Sequence, residues 1–211
     1  TVALSFFAQP AQAHDENLHF AHPLVTESPT PDTKVRLDYI WQRVPGHHED
    51  DGKADVSTAR VTGEYAFDRF IGMEISVPYT WRNPEHADDK DTSHLDNVGF
   101  ALNYANDSFA DKGVFVGGGI ELNLPTGDDD REIGSSHETE VAPFLDFGWR
   151  RGDAQLIGVV EFGFPHNSDH ADFEIGWDVA ALWEAAPHLD LMMEAGGEKI
   201  YGGEEGGSHA V

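Results

Sequence analysis

No cysteine occurs in the 211 residues, which removes disulfides and thiolate metal ligands and leaves histidine and carboxylate as the side-chain ligands on offer. Basic residues are scarce as well. Thirteen Lys and Arg stand against 39 acids, for a formal charge of −26. Nucleic-acid binding needs clustered cations to displace phosphate counterions, so no nucleic-acid partner is expected. Long apolar runs are also missing, and none approaches the roughly 20 residues of a spanning helix. The negative mean hydropathy does not by itself argue for a soluble protein, because a membrane-spanning strand turns only every second residue to lipid.

What the chain has in abundance is period-two alternation, the mark of a strand with two different faces. It recurs nine times, over residues 35–41, 59–67, 73–82, 98–104, 114–124, 138–150, 155–164, 173–184 and 188–194. The third is the clearest: Met73, Ile75, Val77, Tyr79 and Trp81 share one face, while Glu74, Ser76, Pro78, Thr80 and Arg82 share the other. A soluble sandwich also alternates, so the connections decide. Links at 68–71, 106–112, 151–153 and 185–187 are short; those at 45–53, 83–94, 125–136, 165–172 and 199–207 are long and polar. Short turns at one end and long loops at the other are the habit of outer-membrane barrels, whose long loops face outside the cell. Aromatics gather at strand ends, with Tyr39 beside Trp41 and Tyr79 beside Trp81, where interfacial girdles belong. The expected fold is therefore all-β, an antiparallel up-and-down transmembrane β-barrel.

The two ends qualify this. Residues 1–13, TVALSFFAQPAQA, combine an apolar run with small residues around Gln12 and resemble the back half of a cleaved secretory signal. The competing reading is an ordinary strand over 2–8. Residues 14–32 read as a periplasmic N-terminal lead, and 33–211 as an incomplete barrel: nine strands plus the start of a tenth at Ser208. An open edge in lipid leaves backbone groups unpaired and single-chain bacterial barrels have even strand counts, so further strands are expected.

Three stretches carry a family likeness: His22-Pro23-Leu24-Val25-Thr26-Glu27, the run 64–70 followed by 72–79, and Leu124-Pro125-Thr126-Gly127-Asp128 with the 140–144 segment after it. Together they resemble Gram-negative outer-membrane barrels known as transporters or as "MetA-pathway of phenol degradation" proteins. The resemblance implies about 12 strands, uptake of small molecules, and residence in the outer membrane after export through a signal peptide. It supplies no catalytic or binding residues. No cofactor is required, and the expected partners are outer-membrane lipid, lipopolysaccharide and a small-molecule solute.

With the apolar face on lipid, the polar face lines a lumen. It holds Glu64, Glu74, Glu121, Glu140, Asp146, Glu161, Glu174 and Asp178, against Arg36, Arg60 and Arg82. Such a surface either fills a narrow barrel with paired charges or leaves an acidic passage that favours cations and neutral solutes. The long loops concentrate His47, His48, His86, His94, His137, His166 and His170 among acids. His and carboxylate suit Zn or Cu, and carboxylates alone suit Ca or Mg. A non-conducting surface barrel that binds divalent ions is thus the alternative to a channel, beside a plain acidic surface bridged by such ions to lipopolysaccharide. No enzyme is expected. Ser135 or Ser136 with His137 is the only nearby nucleophile and base; Ser136 and His137, adjacent on a strand, point to opposite faces, and Ser135 with His137 shows no third, orienting group in the sequence.

Overall fold

A computed structural model describes residues 2–8, 30–45, 53–85, 91–167, 172–186 and 189–202. Eleven strands follow in chain order: β1 (Val2–Ala8), β2 (Lys34–Pro45), β3 (Lys53–Ala66), β4 (Ile71–Pro84), β5 (Thr92–Leu95), β6 (Val98–Asn106), β7 (Val114–Leu124), β8 (Thr139–Arg151), β9 (Ala154–His166), β10 (Phe173–Ala186) and β11 (Leu189–Tyr201). Each of the nine segments of alternation lies, over its described residues, within one strand to within a residue at either end. All pairings are antiparallel, and along the path β1-β2-β3-β4-β6-β7-β8-β9-β10-β11 each long strand pairs with the next. The short β5 lies off this path against β4. The sheet curls into a half-barrel, as an up-and-down barrel requires.

Residues 2–8, expected to be the tail of an export signal, are strand β1 in this structure. Val2 pairs with Trp41 and Ala8 with Val35, so an apolar run without alternation finds backbone partners along the edge of β2. The tenth strand expected from Ser208 lies outside the described residues, as does most of the 14–32 lead. Its last residues are seen at the short-turn end. Asp32 N–H donates to the Glu64 carboxylate at 2.7 Å and Ala66 N–H to Thr33 Oγ1 at 3.1 Å.

The two faces are inverted relative to a soluble protein. Val35, Leu37, Tyr39, Val61, Ile75, Val77, Leu102, Val116, Leu145, Val160 and Trp177 are all exposed on the convex side, whereas Lys34, Arg36, Asp38, Glu64 and Asp146 are buried on the concave side. On β4 the outward residues run from Ile71 to Trp81. Ten steps at ~3.3 Å, on a strand tilted by about 40°, cover a height of ~25 Å, equal to that of the apolar band in membrane barrels. Aromatics bound it at both ends. Tyr79 meets Trp81 edge-on at 4.9 Å near the long loops, and Tyr65 meets Phe67 edge-on at 5.3 Å at a short turn. At the long-loop end the Tyr39 and Tyr79 hydroxyls reach Ser57 and Ser93, each at 3.1 Å, so these rings keep one polar contact at the rim. Among the described residues no helix is long and apolar enough to cross a membrane.

Candidate functional site

Alternation fixes which residues enter the concave space, and cross-strand register fixes which of them meet. Lys34 lies opposite Glu64 and Asp38 opposite Arg60. Both pairs become ion pairs. Lys34 Nζ reaches Glu64 at 2.5 Å, and Asp38 accepts from Arg36 Nε at 2.9 Å and Arg60 Nη2 at 3.2 Å. Two guanidiniums therefore share one buried carboxylate on the β2–β3 wall. Glu74, Glu121, Glu140, Asp146, Glu161, Glu174 and Asp178 share this concave face, as do Arg60 and Arg82. Glu140 accepts from Asn123 Nδ2 at 3.3 Å.

The acids of the far wall lean over glycines, a detail that polarity patterning does not register. Gly117 lies directly opposite Asp146, and Gly196 directly opposite Asp178. A Cβ at either glycine would overlap the facing carboxylate, and one at Gly163 would overlap that of Glu140. These carboxylates owe their positions to the missing side chains. Gly117→Ala and Gly196→Ala should each cost about 1–3 kcal/mol through overpacking, read by urea titration of the lipid-folded protein; an unchanged midpoint would show that the carboxylates move aside freely.

The short-turn end is apolar inside. Phe115, Ile157, Ala180 and Leu182 form a buried cluster, with Ala110 of the β6–β7 turn packed against it. These residues occupy concave positions on β7, β9 and β10 and were missed because alternation assigns their whole face to the polar interior.

The long-loop end is narrowed by two segments folded over the concave face. Thr58 donates to Thr80 at 2.8 Å, and Thr80 to Asp96 at 3.0 Å. Asn97 Oδ1 accepts from Gly127 N–H at 3.2 Å and Ser135 N–H at 2.9 Å, tying the 91–97 segment to the 125–136 loop. Thr126 Oγ1 accepts from Val98 N–H at 2.9 Å and donates to the Asp96 carbonyl at 2.8 Å, so the Leu-Pro-Thr-Gly-Asp stretch is the clasp of this loop. Gly134, at φ 61°, packs where a Cβ would strike Asp96 and Asn97, so only glycine fits the turn. Ile133 is fully buried, and Arg82 reaches Glu132 at 2.5 Å. The sequence marked this loop as long and polar but gave no sign that it turns inward.

Asp129 organises the outer part of the loop. It accepts from the Ser136 hydroxyl, from Ser136 N–H at 3.0 Å, and from His137 Nδ1 at 3.1 Å. The Ser136 hydroxyl first, then its amide, and more weakly His137 and Ser135 hold this carboxyl well below the usual carboxylate range. A depressed carboxyl contributes order that is present above the ordinary pKa and lost as pH falls through the lowered one. The loop should therefore keep its Ser136 amide protection near pH 4 and lose it only below the ordinary carboxylate range. Hydrogen exchange followed down the pH scale checks this, and loss already near pH 4 would rule it out.

Asp129 is also the third group absent from the sequence reading of Ser135 and His137. The geometry is not that of a relay. Ser135 Oγ approaches His137 Nδ1 at 3.4 Å, the same nitrogen that Asp129 reaches, whereas a nucleophile and an orienting acid must sit on opposite ring nitrogens.

Of the histidines named as metal ligands, the described ones, His94, His137 and His166, are not gathered. His94 Nε2 lies 3.9 Å from Asp128, which also pairs with Arg131 at 3.0 Å; His137 is held by Asp129; and His166 ends β9 opposite Thr139. Among the described residues no group of three or more His or acidic side chains is arranged to hold a metal. His47, His48, His86 and His170 lie outside the described residues. No family model and no curated protein matches the chain, so the likeness to the MetA-pathway barrels rests on the quoted stretches.

Proposed function

We propose that the chain forms most of an outer-membrane β-barrel that passes small solutes, favouring cations and net-neutral molecules. The observation that carries this reading is the inversion of the sheet. Apolar residues cover the convex face of every long strand from β2 to β11, where soluble monomers rarely expose apolar patches beyond about 300–600 Å². Only lipid makes such a face favourable, and a charged concave face then encloses a polar interior. The acidic excess on that face raises local cation concentration and repels carboxylates. Export through a signal peptide and contact with lipopolysaccharide belong to the same reading.

The apolar cluster of Phe115, Ile157 and Leu182 favours a second reading, a sealed barrel whose function lies in its His- and Asp-rich loops, where divalent ions would bind. Conductance separates the two. The full-length protein refolded into a planar bilayer under a salt gradient should give a cation-selective current. Anion selectivity would overturn the acidic-passage reading, and folded protein without current would favour the sealed barrel.

A further inference from the structure

The charges of the concave face are sorted by flank as well as by sign. The β2–β4 flank carries four cations, Lys34, Arg36, Arg60 and Arg82, against Asp38, Glu64 and Glu74. Arg82 is matched at the long-loop end by Glu132, so the flank's local surplus of positive charge is that of Arg36 and Arg60 around Asp38. The β8–β11 flank carries Glu140, Asp146, Glu161, Glu174, Asp178 and Glu194, with Arg150 as its cation. The contrast is sharpest at mid-height. Arg60, Asp146, Glu161, Asp178 and Glu194 each stand five to eight residues in from the short-turn end of their strands. There, two guanidiniums share the single Asp38 carboxylate on one side, while carboxylates seated over Gly117 and Gly196 occupy the other. Arg60 is not sealed off, with 29% of its side chain exposed.

We propose that these flanks set up a field across the passage and that its preferred solutes are small zwitterions. This deepens, and rests on, the reading of the barrel as a conduit. A net charge alone would treat all neutral solutes alike. Opposed flanks do not: a molecule with an ammonium at one end and a carboxylate at the other turns its ammonium toward β8–β11 and its carboxylate toward Arg60. It thereby exchanges hydration for two opposite-charge contacts, while an uncharged molecule of the same size gains neither. A simple cation meets the acidic flank but is repelled by the basic one, and an anion meets the reverse.

The test is flux of 4-aminobutyrate and of erythritol, an uncharged four-carbon solute, into vesicles holding the full-length protein, corrected for protein-free vesicles. At about 10 mM salt the zwitterion should enter about tenfold faster, the lower end of electrostatic focusing effects. The advantage should shrink toward parity near 1 M, where screening acts over ~3 Å. Arg60→Gln and Asp178→Asn should each remove most of it, read as the ratio of 4-aminobutyrate to erythritol flux in the same vesicles, and Glu161→Gln offers a second acidic-flank variant if Asp178→Asn folds poorly. Equal entry of both solutes into wild-type vesicles would overturn the zwitterion preference and leave the conduit intact. Entry of neither, from protein shown to be folded, would overturn both.

Discussion

Val77→Arg should lower the stability of the lipid-folded protein by about 2–4 kcal/mol, whereas Asn83→Arg, on the same strand and the same convex face, should cost about 0–1 kcal/mol. Val77 stands midway along the outward series from Ile71 to Trp81, and Asn83 stands beyond its last aromatic residue. In lipid the penalty for a guanidinium depends on depth, because a long side chain near the interface reaches water and one at the midplane does not. In water the two exposed positions would behave alike. Urea titration in vesicles of defined thickness gives both values, and equal small costs at the two sites would remove the membrane from the account.

Asp38→Ala should be at least as damaging from the other face, at about 3–5 kcal/mol. The Asp38 carboxylate is 1% exposed and accepts from both Arg36 and Arg60. Its loss strips Arg36, itself buried, of a charged partner without returning it to solvent. The cost belongs to the stranded cation more than to the bond. Adding Arg36→Met to Asp38→Ala should therefore recover most of the lost stability, measured by the same titration. Failure of the second substitution to recover any would show that Asp38 acts through packing alone.

The strands were legible because an apolar convex face and a polar concave face impose a strict two-residue rhythm. The third segment announces most of β4, and the short links at 68–71, 106–112 and 151–153 join consecutive strands. Strand limits were less legible. β3 begins at Lys53 and β4 continues to Pro84, since strand ends beyond the apolar band have no contrast between faces. β5, with four residues inside what reads as a loop, is too short to show a period. The inward fold of 125–136 depends on distant partners such as Asn97 and Arg82, and only tertiary contact brings them near. The polar wall was readable residue by residue, but not its sorting into flanks, which needs the order of strands around the curve. The Phe115 cluster was hidden for a related reason. An apolar residue on a polar face looks like noise until register sets it beside others.

The strictly sequential path of long strands through the sheet carries a consequence for ancestry. Since nearly every ladder joins chain neighbours, a duplicated or deleted hairpin changes the girth of the structure without rewiring any surviving pair, and diameter grows roughly linearly with strand number. Descendants of such a chain can be widened or narrowed in two-strand increments, each graft bringing its own short turn, its own outward apolar stripe and its own share of interior charge. Calibre and charge lining thus become separately heritable traits, one set by how many hairpins a lineage keeps and the other by which ones.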